Sequence, residues 1–537
     1  MTVHELNDRT LSARQSKLVV DLATDALRSG DSREAERLLR GHLVKSPNDG
    51  GVLTYLAKIV EDQGRVEEST LLLRRAADCE QTPARFLSLL HHLKRYAGAE
   101  AILAEIEVLP PGIRELFDVR VLEAAALGTL GIHDREIEIY EKLTAVEPSN
   151  GSLWKTLGDA LKTVGRLDDG VAALRRAIAA RPTYGEAYWT LANFKSFRFT
   201  NEDIAAMRSA LKKRLSEIDA LHFHFALGQA LEDARNYPQS FRHYSAGNRV
   251  RAARLQPSDM GITPFVQRAI ARQTSEFFEQ RAGAGCDGAD PIFVVGLHRS
   301  GSTLIEQILA SHPMIEGTTE ITVISQLWNR LTRAAAVNGR GAFEELALQD
   351  ASALEALGRE YISRTKAFRL TERPYFVDKL PANWMHLGLI RLILPNAKII
   401  DARRHPLACG FSNFKQHYAS GMHFAYSQES IGTFYRDYWR YMSHLNRVQP
   451  GAVHRVINEK LIEDPEGEIR RMLDFIGVPF DPACLQFHQN KRAVRTPSAE
   501  QVRRPINREG VDRWRNYERW LGPLKEALGP ALEQWDQ

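Results

Sequence analysis

Ile292-Phe293-Val294-Val295-Gly296-Leu297-His298-Arg299-Ser300-Gly301-Ser302-Thr303-Leu304 decides how the second half of the chain folds. Four apolar residues in a row, Ile292 to Val295, have the length and composition of a strand buried on both faces. Gly296 and Gly301 bound a turn, and an amphipathic helix predicted to run to about Ser311 follows it. That order directs successive backbone N–H groups and a helix N-terminus at one spot, which suits a phosphate or a sulfate. Arg299 is the only cation within the turn.

Outward from this segment, short apolar runs alternate with helical stretches: Tyr375-Phe376-Val377, Lys398-Ile399-Ile400 and Val453 to Ile457. Strands separated by helices predict a mostly parallel sheet covered on both faces, an α/β domain. Upstream, Arg281 to Asp290 (RAGAGCDGAD) is a Gly- and Asp-rich boundary. The first half has a different period. Gly30 and Gly64 are 34 residues apart, as are Gly131 and Gly165, and Pro148 and Pro182. Trp154-x-x-Leu157-Gly158 recurs 34 positions on as Tyr188, Leu191 and Ala192, and Val19, Leu22 and Ala23 recur as Leu53, Leu56 and Ala57. This is the tetratricopeptide pattern, in which large residues of one helix pack over small ones of the next and the pairs stack into a solenoid. Leu227-Gly228 marks a degenerate copy, and Thr82 to Pro110 reads as helical but out of register. The expected organisation is an all-α repeat solenoid over 1–250, a helical connector over 251–288, and a transferase-like domain over 289–537.

Composition narrows the function classes. Of 537 residues, 44% are hydrophobic and 26% charged, and 71 Lys and Arg stand against 67 Asp and Glu. That balance excludes a dedicated nucleic-acid coat or a polybasic membrane binder. Four scattered cysteines show no metal or redox spacing, which fits a reducing compartment. With no apolar leader in Met1 to Arg14 and no run near 18 apolar residues, the expectation is a cytoplasmic protein without a membrane span.

The spacing Gly296-x4-Gly301 matches a Walker A loop, but Ser302 stands where its lysine belongs. Arg299-Ser300-Gly301-Ser302-Thr303-Leu304 instead resembles the 5′-phosphosulfate loop of sulfotransferases that use 3′-phosphoadenylyl sulfate (PAPS). Arg404-His405-Pro406 with Ser412 is similar to that family's 3′-phosphate motif. Its chemistry is sound, since an arginine fork and a helix hydroxyl both donate to a phosphate. Residues 496–506, with Ser498, Gln501, Val502 and Pro505, are similar to the cofactor-covering loop of the tyrosylprotein branch. Solenoid first and transferase second, the chain resembles bacterial tetratricopeptide-repeat sulfotransferases along nearly its whole length.

The resemblance implies PAPS as co-substrate and no metal. Arg299 would bind the phosphosulfate bridge, with Ser300, Gly301, Ser302 and Thr303 on the 5′-phosphate and Arg404 and Ser412 on the 3′-phosphate. Lys379 and Ser498 would stabilise charge on the leaving group. Glu320, 21 residues after Arg299, matches the spacing of the tyrosylprotein branch's catalytic glutamate; a carboxylate in reach can take a phenol's proton. Its bland alternative is a capping or ion-pairing carboxylate before Ile321 to Arg333, and that of Lys379 a surface ion pair with Asp378 or Glu372. Glu316 competes with Glu320 as the base, while His298, His312 and His405 read as structural. His298 replaces the family's usual proline, Asn458 stands near its adenine-contacting tyrosine, and Gln416 replaces a further arginine, for which Arg495, Arg503 or Arg504 could compensate. The aromatic run Phe434, Tyr435, Tyr438, Trp439 and Tyr441 reads as core packing on a helix.

The expected activity is therefore sulfuryl transfer from PAPS to an acceptor hydroxyl, a protein or peptide tyrosine first. The rivals are sulfation of a glycan or small molecule, a P-loop kinase, and a repeat scaffold with a degenerate transferase domain. A protein or peptide acceptor held by the solenoid is the expected partner, nucleic acid is not, and a homo-oligomer is compatible with the sequence.

Overall fold

The computed structural model describes residues 3–537 apart from 195, 257–260, 319, 372, 419–420, 491 and 493–500, with only the backbone for 3–13. Ser498, Arg495 and Glu372 of the sequence reading lie outside the described residues. The chain divides into two compact units, Met1–Ala180 and Arg181–Gln537.

The first unit is helical throughout, and its turn glycines explain why. Gly30, Gly64, Gly98, Gly131 and Gly165 all take left-handed φ between 80° and 96°, each between two helices. Gly98 falls 34 residues after Gly64 and separates the helices Pro83–Tyr96 and Ala99–Val108. The stretch Thr82 to Pro110 is thus in register, a correction to the sequence reading. Its turn keeps the period although its packing signature is lost. Close packing uses the small residues as expected. A Cβ on Gly158 of the helix Gly151–Val164 would lie 2.8 Å from Leu174 of Leu167–Ala180.

The second unit begins with helices of the same kind. Gly228 of the helix Glu217–Asp233 lets Tyr244 of Tyr237–Ala252 approach within 2.5 Å of where its Cβ would be. These helices pack with the C-terminal segments. Phe241 stacks on Trp520 with ring centroids 5.3 Å apart, Ser240 shares a hydrogen bond with Tyr517, and Asn248 donates to the Phe414 carbonyl. Glu232 is buried against Lys415 at 2.7 Å.

Five parallel strands follow: β1 (Pro291–Gly296), β2 (Ile315–Gly317), β3 (Tyr375–Asp378), β4 (Lys398–Arg403) and β5 (Val453–Ile457), in the order β2-β3-β1-β4-β5. The expected α/β sheet is present, and β2 is an addition to the sequence reading. All six residues of β1 are buried. Ile292 and Val294 join a core with Ile305, Ile308, Ile400 and Leu473, while Phe293 meets Tyr361. Burial on both faces explains why β1 reads as a continuous apolar run. The chain turns to one side of β1 for β2 and β3 and to the other for β4 and β5. In such sheets, ligands bind in the crevice outside the carboxyl ends of the strands at this switch point. No helix among the described residues is long and apolar enough to cross a membrane.

Candidate active site

The carboxyl ends of β1 and β4 lie side by side, with Gly296 opposite Ala402. A Cβ on Gly296 would lie 2.4 Å from the Ala402 carbonyl oxygen, so only glycine lets the two strand ends approach. After Leu297 and His298 the chain turns through Arg299, a non-glycine residue at φ 69°, and Gly301 at φ 100°, into the helix Ser302–Leu309. Strain of this kind concentrates at ligand sites. Asn413 donates to the His298 carbonyl at 2.8 Å, and Arg404 Nη1 donates to the Arg299 carbonyl at 3.2 Å. The loop after β1 is therefore held by the motif after β4.

These two segments open onto one cleft of about 280 Å³, near the lower end of small-molecule sites. Arg299, Gly301, Ser302, Thr303, Arg404, Gln501, Val502 and Pro505, eight of the residues picked out from sequence, line it together. Ser300 and Ser412 lie beside it instead. The Ser300 hydroxyl is buried with no hydrogen-bond partner among the described residues, and Ser412 accepts from Arg299 Nε at 3.0 Å. Ser412, in the helix Pro406–Phe414, thus positions Arg299. Arg404 Nε is buried without a hydrogen-bond partner among the described residues, its ion-pair partner Glu459 standing 4.0 Å away, while Nη2 donates to the Gly510 carbonyl. Burial is the largest influence on the Arg404 guanidinium and lowers its pKa from the usual value. Asn458 packs onto the loop, 2.6 Å from where a Gly301 Cβ would be, and lines the cleft.

Arginines dominate the charge. Arg198, Arg299, Arg404, Arg504 and Arg513 line the cleft against Asp233 and Glu509. A polyanion fits this lining, the Ser300 hydroxyl without a hydrogen-bond partner among the described residues, and a helix N-terminus at Ser302. The residues present therefore suit the phosphate and sulfate groups of a donor such as PAPS.

Glu320 and Lys379 do not line the cleft but are brought together next to the loop's own helix, Ser302–Leu309. Lys379, at the carboxyl end of β3, is buried and donates to Glu320 at 2.5 Å, with Glu306 at 3.8 Å. Lys379 is not a surface residue, and Glu320 lies just ahead of the helix Val323–Val337, whose N-cap is Thr322. Glu306 is bound in turn by Arg492 at 2.9 Å. Neither Glu306 nor Arg492 figured as a site residue in the sequence reading. The available signal was Glu306 itself, a carboxylate in the apolar run Leu304 to Leu309. Burial pushes the neighbouring Asp378 carboxyl up to about 7, against a hydrogen bond from Tyr361 at 2.8 Å and the charge of Lys379. Glu316 accepts from the Thr371 amide at 2.7 Å and is a latch for β2. His312 bridges the Pro479 carbonyl and the Met314 amide, and His405 stacks on Trp514.

A second, smaller cavity of about 140 Å³ lies against His298, lined by Trp384, Met385, Met422, Phe424 and Phe434 among others. Tyr435, Tyr438 and Tyr441 are core residues as expected from sequence; Phe434 instead faces this cavity. Burial holds the His298 imidazole near about 4; the charge of Glu320 opposes this, while those of Lys379 and Arg299 add to it.

Residues 291–482 match the model of the sulfotransferase family, and residues 20–84 that of the tetratricopeptide repeat. An uncharacterized protein of Aquifex aeolicus (strain VF5) is 27% identical over 96% of this chain and 70% of its own length. A Caenorhabditis briggsae protein, provisionally named a protein-tyrosine sulfotransferase, is 27% identical over 42% of this chain and 80% of its own. Among solved structures, the sulfotransferase domain from the Synechococcus PCC 7002 olefin synthase is similar over 44% of this chain and 90% of its own, at 24% identity and a TM-score of 0.33.

Proposed function

We propose that this chain, whose residues 291–482 form a sulfotransferase-family domain behind tetratricopeptide repeats, transfers the sulfuryl group of PAPS to the phenol of a protein or peptide tyrosine. The observation that carries this reading is the single cleft shared by the loop after β1 and Arg404 after β4, with five arginines around it. In this scheme the loop amides from Ser300 to Thr303 hold the 5′-phosphate, Arg299 the phosphosulfate bridge, and Arg404 the 3′-phosphate. The acceptor oxygen attacks sulfur in line, the bond from sulfur to the bridging oxygen breaks, and adenosine 3′,5′-bisphosphate leaves. Glu320 takes the acceptor proton, while Lys379, paired with it at 2.5 Å, moves its charge toward the departing oxygens. Catalysis is then positioning plus charge stabilisation.

The cavity beside His298 supports the phenol. An apolar space of ~150 Å³ holds one benzene ring, and this aromatic-lined space is about 140 Å³. His298 lines it and lies close enough to Glu320 and Lys379 to feel their charges. In this reading the repeats serve as the segment that retains the peptide.

Calorimetric titration with adenosine 3′,5′-bisphosphate tests the donor. Metal-independent binding, weakened about a hundredfold in Arg404→Ala, is expected, because the loss strips a buried charge contact. Binding of ATP–Mg²⁺ alone would replace this reading with the P-loop kinase one.

A further inference from the structure

The cleft is not built by the sheet's loops alone. Arg198 follows the helix Gly185–Ala192, and Asp233 ends the helix Glu217–Asp233; both line the same cleft as Arg299 and Arg404. We propose that Arg198, supplied by the repeat-like helices ahead of the sheet, binds a phosphate of the donor nucleotide, and that Asp233 holds its place until the nucleotide arrives. This rests on the reading of the cleft as the donor site.

Three observations carry it. The Arg198 side chain is 57% exposed and its Nε stands 3.7 Å from Asp233 Oδ1, well beyond the 2.7–2.9 Å of a strong charge-assisted bond. Asp233 is only 17% exposed, but at 3.7 Å its carboxylate is outside hydrogen-bond reach of Arg198 Nε. A phosphate carrying up to two charges can therefore compete with it for the guanidinium, which also donates to the Phe197 carbonyl. The neighbouring acid has no such freedom: Glu232 is buried and committed to Lys415 at 2.7 Å and to the Tyr244 hydroxyl at 3.0 Å. Asp233 accepts instead from a neutral side chain, Gln229 Nε2 at 3.0 Å, and is the more adjustable of the two. Burial raises its pKa and the Glu232 charge adds to this, while Arg198 acts in the opposite direction. The charge balance agrees, because five arginines against two carboxylates leave the cleft strongly positive and suited to a ligand with several negative charges.

The consequence is that the helical segment is a working part of the nucleotide site. A transferase domain cut at residue 289 would lack one of its phosphate contacts.

The full chain is titrated with adenosine 3′,5′-bisphosphate and, separately, with uncharged adenosine. Arg198→Ala is expected to weaken bisphosphate binding about tenfold and to leave adenosine binding unchanged, with Arg198→Lys recovering part of the loss. Asp233→Asn is expected to tighten bisphosphate binding about threefold by removing a like charge from the phosphate's neighbourhood. Wild-type binding by Arg198→Ala, while Arg404→Ala loses affinity, would overturn this inference and leave the donor reading standing. Equal weakening of adenosine and bisphosphate would overturn it too, since Arg198 would then only shape the cleft. If the wild-type chain ignored the bisphosphate, the donor reading would fall and this inference with it.

Discussion

The two units use the same residue for two different ends. In the first, Gly30, Gly64 and Gly131 take φ between 80° and 84°, and a Cβ on any of them would meet nothing within 4 Å. They are there for backbone conformation alone, to turn one helix into the next. In the second, Gly296 and Gly301 have positive φ and no room either: a Cβ would lie 2.4 Å from the Ala402 carbonyl oxygen or 2.6 Å from Asn458 Oδ1. Close approach is what lets the loop after β1 meet the motif after β4. These repeat turns need their glycines for geometry, and the ligand loop needs its own for geometry and proximity together.

The contrast can be broken directly. Gly296→Ala should cost about 3 kcal/mol or more, because backbone must move to admit the methyl group, and bisphosphate binding should disappear with it. Gly131→Ala meets open space and should cost only the left-handed penalty of about 1–2 kcal/mol, leaving binding unchanged. Denaturant melts and titration of both variants check this. Comparable losses of binding in the two variants would dissolve the distinction.

A smaller effect sharpens it from the side of charge. Burial holds His298 and His386 near about 4 in the second unit, against about 6.5 when exposed to water. The unfolded chain then takes up protons that the folded one refuses. Stability should therefore be full above about pH 6.5 and fall as pH drops toward about 4, by up to ~1.4 kcal/mol per pH unit for each histidine. Replacement of His386 by asparagine should flatten that slope, as read from melting temperature against pH.

These cases also show what a sequence carries and what it does not. The loop from Gly296 to Leu304 and the Arg404 motif are local, so their chemistry is legible in consecutive residues. The turn glycines are legible as a period, and Gly98 keeps that period although the packing signature around it is lost. Strand β2 was not, because Ile315–Gly317 is three residues long and carries the buried carboxylate Glu316, which accepts from the Thr371 amide far along the chain. The cleft's contributions from Arg198 and Asp233, and the Arg492–Glu306–Lys379–Glu320 chain, arise from tertiary packing between distant segments. No local pattern announces them. Glu306 came nearest, as a charge where an apolar helix face should continue.

The most direct test of sulfuryl transfer is incubation of the full chain with PAPS labelled in its sulfuryl group and an acidic tyrosine peptide. The account predicts label on the tyrosine oxygen without added metal, with turnover reduced about a hundredfold or more in Glu320→Gln while bisphosphate affinity is kept. Label that stayed on the donor, or Glu320→Gln turning over as fast as wild type, would contradict it.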